Sequence, residues 1–221
     1  MERPSIEPYG DSALLITFGD QIDETVSRRV RDATRALQQL GASRPDIGAP
    51  VAAFAAVLLP FDPLVVKPDE VARLTIDALE GAVVADPVRM TPIIEIATRY
   101  GGVDGPDLRE VAEAHGITVR QAVELHTDAL YTVAFIGFMP GFPYMIGGPP
   151  ALDHPRQATP RTRVPPGSVA IAGLQGTVYP FATPGGWNLI GRTDRHLWDV
   201  RRNPPALLTP GSRVRFTREA D

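Results

Sequence analysis

Residues 13–18, Ala-Leu-Leu-Ile-Thr-Phe, form the first dense apolar run of the chain and read as a buried strand. The period then changes. Asp23 stands where a helix N-cap belongs, and Val26, Val30, Ala33, Leu37 and Leu40 fall on one helical stripe that Gly41 closes. A second run, VAAFAAVLL at 51–59, predicts the next strand. Pro68 suits the first turn of a second helix carrying Val71, Leu74 and Ala78 inward, with Gly81 as its stop. TPIIEIA at 91–97 predicts a further strand. Helices that return to one face of a small sheet predict a two-layer α/β domain over residues 1–97.

Beyond this point two short helices are expected. Gly105-Pro106-Asp107 opens one with Leu108, Val111, Ala112 and His115 on one side, and Gly116 ends it. Thr118 and Gln121 have capping-box spacing for the other, whose inner stripe is Val119, Ala122, Val123 and His126. From about residue 128 short β-rich runs follow (YTVAFIGF, GSVAIAG, TVYPF, WNLIGR, SRVRF), separated by Pro and Gly clusters. This texture predicts an all-β barrel or sandwich in a second domain, residues 98–221, and hence an α+β chain.

One stretch fits neither period. GFMPGFPYM at 137–145 is too apolar for a plain surface loop, and Pro140, Gly141 and Pro143 exclude a regular helix and break an ordinary strand. Phe138, Pro140, Phe142 and Tyr144 are therefore expected to be covered, either as a cleft wall or by a partner.

Composition narrows the chemistry. The 221 residues contain no cysteine, which excludes disulfides, thiolate metal sites and cysteine nucleophiles. The N-terminal MERPSIEPYG has no apolar core of a signal peptide, and the run at 51–59 is far short of a membrane span, so a cytoplasmic protein is expected. A net charge of -4 argues against nucleic acid as partner. Lys67 is the only lysine among 22 basic residues, a bias that fits either GC-rich codon usage or arginines kept as bidentate anion clamps. No GxxxxGK[ST], GxGxxG after a strand, HExxH or GxSxG occurs, and no metal site is expected.

Candidate chemistry concentrates between residues 126 and 193. Arg156 and Arg161 each follow a proline, which stiffens the segment and lowers the cost of presenting a guanidinium to an anion. Pairing with Asp153 or another acid accounts for them equally well. Trp187 follows Gly185 and Gly186 and either floors a pocket or belongs to the core. Gln175, Tyr179 and Asn188 add neutral hydrogen-bonding groups suited to an amide or carboxylate edge, and Arg192 is a reserve cation. His126, on an apolar helical face, is either a satisfied core histidine or a general acid/base. Asp128 and Asp153 are the only acids from 127 to 193, so a carboxylate dyad finds little support.

The stretches GFMPGFPYM, PRQATPRTRVPPGSVAIAG and YPFATPGGWNLIGRT resemble the 5-oxoprolinase B-subunit family, also labelled allophanate hydrolase subunit 1, which includes the sporulation-kinase inhibitor KipI. This chain departs from the common pattern at Pro166, where alanine is usual, and at Gln175-Gly176-Thr177, where Gln-Thr-Gly is usual. The resemblance implies an N-terminal α/β domain followed by a cyclophilin-like β-barrel. It also implies a subunit, inactive alone, of an ATP-dependent 5-oxoprolinase that opens the lactam of 5-oxoproline to glutamate. Partners would be a second cyclophilin-like subunit (of the 5-oxoprolinase C-subunit or allophanate hydrolase subunit 2 type) and a third, catalytic subunit, with ATP handled by the assembly. On this reading Arg161 and His126 are catalytic, and Arg156, Gln175, Tyr179, Trp187 and Arg192 bind substrate. A KipI-like inhibitor of a sensor histidine kinase and a subunit of an allophanate or urea-type amide hydrolase are the alternatives. A cyclophilin-like shape by itself implies no prolyl isomerase activity.

Overall fold

Asp23 caps its helix as expected, its Oδ1 accepting the Val26 amide at 2.8 Å. In the computed structural model, which describes residues 3–81 and 92–219, that helix is α1, Glu24–Ser43. It runs past Gly41 to Arg44, whose N–H bonds back to the Gly41 carbonyl. Among the described residues the N-terminal unit also has strands β1 (Ser5–Pro8), β2 (Ala13–Thr17), β3 (Val51–Ala52) and β4 (Ala56–Pro60), and helix α2 (Pro68–Gly81). The strands form one antiparallel sheet in the order β1-β2-β4-β3. Leu14 and Ile16 of β2 stand opposite Leu59 and Val57 of β4, and these four pack with Val30, Ala33 and Leu37 of α1 and Val71 of α2. Apolar residues at helical and strand periods thus meet in two layers.

The run at 51–59 is two strands, not one. The Ala53 amide bonds the Ala56 carbonyl at 2.8 Å, so the chain folds back and β3 becomes the sheet's edge beside β4. An apolar run signals extended backbone but carries no mark of where it reverses when the turn residues are themselves apolar.

Among the described residues of the second unit are β5 (Ile93–Tyr100), α3 (Leu108–Ala114), α4 (Val119–Asp128), β6 (Tyr131–Ile136), β7 (Pro143–Ile146), β8 (Arg161–Val164), β9 (Ser168–Ala172), β10 (Gln175–Val178), β11 (Thr183–Gly185), β12 (Asn188–Arg192) and β13 (Arg213–Arg218). Seven of these strands close a barrel in the order β10-β7-β6-β13-β5-β12-β9, and β8 and β11 pair as a separate two-stranded sheet. The barrel is filled by Ile96, Tyr131, Val133, Met145, Val169, Ile171, Val178, Ile190, Val214 and Phe216.

Strand β5 lies parallel to β13, with Ile96 opposite Phe216, and antiparallel to β12. It is therefore a barrel strand, and the chain divides between Met90 and Thr91 rather than at 97/98. The first residue of the predicted 91–97 strand lies outside the described residues. Sequence periodicity located the strand, but its sheet is set by pairing with β12 and β13, far along the chain. Helix α4 has the predicted capping box and buries Ala122, Val123 and His126, while Val119 at its first position is 41% exposed.

Candidate functional site

The GFMPGFPYM stretch is the turn and second strand of a hairpin. β7 starts at Pro143, where a missing N–H costs least, and Ile136 pairs with Pro143 and Phe135 with Tyr144. The expectation of a broken loop is corrected for this half. Phe142, Met145 and Ile146 are buried by the barrel itself, but Phe138 is 62% exposed and holds φ at +64°, a left-handed conformation uncommon for a bulky residue. Pro140 is exposed beside it.

Phe142 starts an aromatic cluster on this side of the barrel. Its ring lies 5.0 Å from Tyr144, 5.2 Å from Tyr179 and 6.2 Å from Trp187, all edge to face. Trp187 is also 6.0 Å from Tyr144. Val164, Ala170, Ala172 and Leu189 complete the apolar bed. Gly185 belongs here because a Cβ on it would lie 2.6 Å from the Tyr179 hydroxyl.

Arg156 lies over this bed, its guanidinium carbon 5.5 Å from the centre of the Trp187 ring. The loop that carries it is laced to the two residues flanking Trp187. The Gln157 amide donates to the Gly186 carbonyl at 2.8 Å, Gln157 Nε2 to Asn188 Oδ1 at 2.8 Å, and Asn188 Nδ2 to the Pro155 carbonyl at 2.7 Å. Arg156 is exposed, and no ion pair with a carboxylate is found for it among the described residues. Trp187, at 5% exposure, is both core and floor. Burial raises the Tyr144 hydroxyl above its usual range and pushes Tyr179 up to about 12, in each case with opposition from the Arg156 charge. Both therefore remain protonated donors near neutral pH.

Arg161 sits differently. Its Nη2 donates to Asp107 Oδ1 at 2.5 Å, and its Nη1 is buried with no hydrogen-bond partner. Asp107 Oδ2 accepts the Leu189 amide at 2.6 Å. The pair is electrically neutral, so Arg161 offers no net charge to a ligand as it stands. Pairing with an acid was open in the sequence. The acid is Asp107, which sequence reasoning took only as part of a helix start, and its partner lies 54 positions away.

The other predicted residues lie apart. His126 is fully buried in the barrel core, with Nδ1 2.7 Å from the Tyr100 hydroxyl and its ring against Phe216 and Tyr131. Burial lowers its pKa to about 3, and its Nε2 has no partner. The reading as a core histidine fits this placement, whereas proton transfer to a bound ligand needs an accessible imidazole. Arg192 Nε donates to the Pro166 carbonyl, and Nη1 is 4.0 Å from Asp104, beside an ion-pair group in which Arg99 holds Asp104, Asp194 and Glu219. Gln175 opens β10 opposite Ala172, its Oε1 buried without a partner. The site that the structure assembles is thus Arg156, Trp187, Tyr144, Tyr179 and Phe142, with Arg161 braced against Asp107.

A small two-layer α/β unit joined to a closed barrel that presents one cation on an aromatic bed defines an α+β protein with a cyclophilin-like barrel. The carboxyltransferase domain family, subdomains C and D, matches residues 4–208. The B-subunit of 5-oxoprolinase from Bacillus subtilis (strain 168) is 36% identical over 225 residues, covering 98% of this chain and 93% of that protein. The chain belongs to the 5-oxoprolinase B-subunit family. In the crystal structure of TTHA0988 a region 36% identical superposes with a TM-score of 0.81 over 95% of this chain, and this chain spans 40% of that one. The urea carboxylase of Kluyveromyces lactis, at 18% identity, superposes with a TM-score of 0.76 over 98% of this chain and 22% of its own, a likeness of fold. Among the described residues no helix is long and apolar enough to cross a membrane.

Proposed function

We propose that this chain is the subunit of an ATP-dependent 5-oxoprolinase that holds the substrate's carboxylate and presents its lactam to the rest of the assembly. The observation that carries this reading is Arg156, an exposed guanidinium without a carboxylate partner among the described residues, laid over Trp187. 5-Oxoproline is a flat five-membered lactam bearing one carboxylate. A guanidinium is matched to the carboxylate, the Trp187 floor to the ring and the half-buried Tyr144 hydroxyl to the lactam oxygen, while the buried Phe142 and Tyr179 support this bed from beneath. Donors aimed at that oxygen stabilise the charge that develops there when water attacks the carbonyl carbon. In the overall hydrolysis the ring C–N bond breaks, hydroxyl adds to carbon and a proton to nitrogen, and glutamate results.

The sequence contains no GxxxxGK[ST] phosphate-binding pattern, and among the described residues no group of three or more His, Cys, Asp or Glu could hold a metal ion. We therefore assign nucleotide chemistry to partner subunits, one cyclophilin-like and one catalytic, and place the assembly in the cytoplasm. His126 takes a core role and Arg192 an ion-pair role in this scheme, and Gln175 is set aside from substrate contact.

The test is co-purification with the two candidate partner subunits and measurement of glutamate formed from 5-oxoproline with and without ATP. ATP-dependent glutamate supports the reading. A stable assembly that makes none removes it and favours the kinase-inhibitor class, for which the exposed, left-handed Phe138 is the motivating feature. Capture of a histidine kinase dimerisation domain would then be the next measurement.

A further inference from the structure

Asp107 occupies the N-cap of α3 but makes no side-chain cap bond to it. A carboxylate at that position ordinarily accepts an amide of the helix's first turn. Here both oxygens reach across the fold instead, Oδ1 to Arg161 on β8 and Oδ2 to the Leu189 amide on β12, while the Asp107 amide donates to the Leu189 carbonyl at 3.0 Å. The loop before it is equally tied, since the Gly101 amide bonds the Ile190 carbonyl and a Cβ on Gly105 would collide with that same oxygen. Local helix capping has given way to a long-range constraint, and such local violations mark functional positions.

The constraint closes a ring around the candidate site. Arg161 pairs with Gly185 across the β8–β11 sheet, Leu189 is bonded by Asp107, and the Asp107–Arg161 ion pair joins the two. The segment between them, residues 185–189, bears Trp187 at its centre, and Arg156 hangs from residues 186 and 188 through Gln157, Asn188 and Pro155. Holding both ends of this five-residue segment sets where the indole lies and where the guanidinium above it lies.

We infer that Asp107 and Arg161 are positioning residues, a partly buried ion pair that sets Trp187 and, through it, Arg156 for substrate. This moves Arg161 from direct contact with the ligand to the frame that holds the contact. The inference rests on the proposed 5-oxoproline site for its kinetic consequence, but the placement of Trp187 is independent of any substrate.

The experiment replaces Asp107 by Asn in full-length chain carrying Trp198→Phe, so that Trp187 is the only tryptophan. Asparagine removes the charge and leaves one carbonyl oxygen for the two donors, the Leu189 amide and the guanidinium, so the ion pair is lost and the two contacts are no longer held together. Trp187 emission is expected to move to longer wavelength with unchanged far-ultraviolet circular dichroism. In the assembled enzyme KM for 5-oxoproline is expected to rise about tenfold with kcat changed less than about threefold, as for loss of ground-state binding geometry. In an Arg156→Gln background that rise is expected to vanish, which a general loss of stability would not produce. If Asp107→Asn does not fold, the double variant Asp107→Asn/Arg161→Gln, with no charge left unpaired, carries the same two readouts. Unchanged emission and KM in a folded variant, or a KM effect that persists in full without Arg156, overturns the inference. A wild-type assembly that makes no glutamate sinks the substrate reading instead, and the emission measurement still decides the role of the pair.

Discussion

Two polar centres share the second unit, and they differ in what surrounds them. His126 lies inside the barrel against Phe216 and Tyr131, its Nδ1 joined to Tyr100, while Arg156 lies outside it on the face of Trp187. Burial strips the histidine of its proton near neutral pH and leaves it no route to a ligand. The arginine keeps its charge, its access to solvent and an aromatic surface that orients it. Residue type alone is therefore a poor guide here. The histidine is the more usual acid/base, yet the arginine has the surroundings that permit chemistry.

The sharpest way to break this comparison is to truncate its buried side. His126→Ala should lower stability by about 3 kcal/mol, the usual scale for emptying a core position, while turnover per folded assembly stays near wild type. Urea unfolding and activity titrated against folded protein check this, and a hundredfold loss of kcat at unchanged stability would put His126 back into the chemistry. On the exposed side, Arg156→Ala should reduce kcat/KM for 5-oxoproline by about 100-fold with little change in melting temperature, and Arg156→Lys should recover only part of the loss because an ammonium lacks the planar fork.

A pH series separates the two centres again. With a folded pKa of about 3 and an ordinary value of 6.5, His126 binds its proton far more readily in the unfolded chain. Its contribution is therefore fully present above pH 6.5 and is lost as pH falls toward the folded value, at about 1.4 kcal/mol per pH unit. Chemical denaturation of wild type and His126→Phe between pH 7 and pH 5 should show a steeper decline in wild type, and parallel profiles would contradict the burial argument. The smallest effect is expected at Phe138. Glycine there relieves the left-handed strain and should raise stability by about 0.5–1 kcal/mol, with a measurable loss of binding to the partner subunit if the exposed ring docks there. Unaltered assembly with Phe138→Gly would leave the ring without a docking role.

Elements with a local signature were legible in the chain. The Asp23 cap, the Thr118–Gln121 box and the apolar stripes of α1, α2 and α4 are read from neighbours three or four positions apart, and the structure bears them out except at Val119, which is exposed. Motif-dense stretches likewise contained Arg156, Tyr179 and Trp187, which the structure brings to one bed. Less was legible where the deciding contact is distant. The reversal inside 51–59, the membership of β5 in the barrel and the carboxylate that holds Arg161 all depend on partners that no local pattern names.

The sequence by itself determined helices α1 to α4 and most of the strands, that no cysteine chemistry is available, and which family's motifs the chain carries. Those properties follow from side-chain type and short-range spacing, which act before the fold exists. Tertiary structure alone decided that His126 is sealed in, that Arg161 is paired with Asp107 and that Arg156 lies exposed over Trp187. Charge, access and orientation come from dielectric surroundings and long-range pairing, and these arise only when the barrel closes.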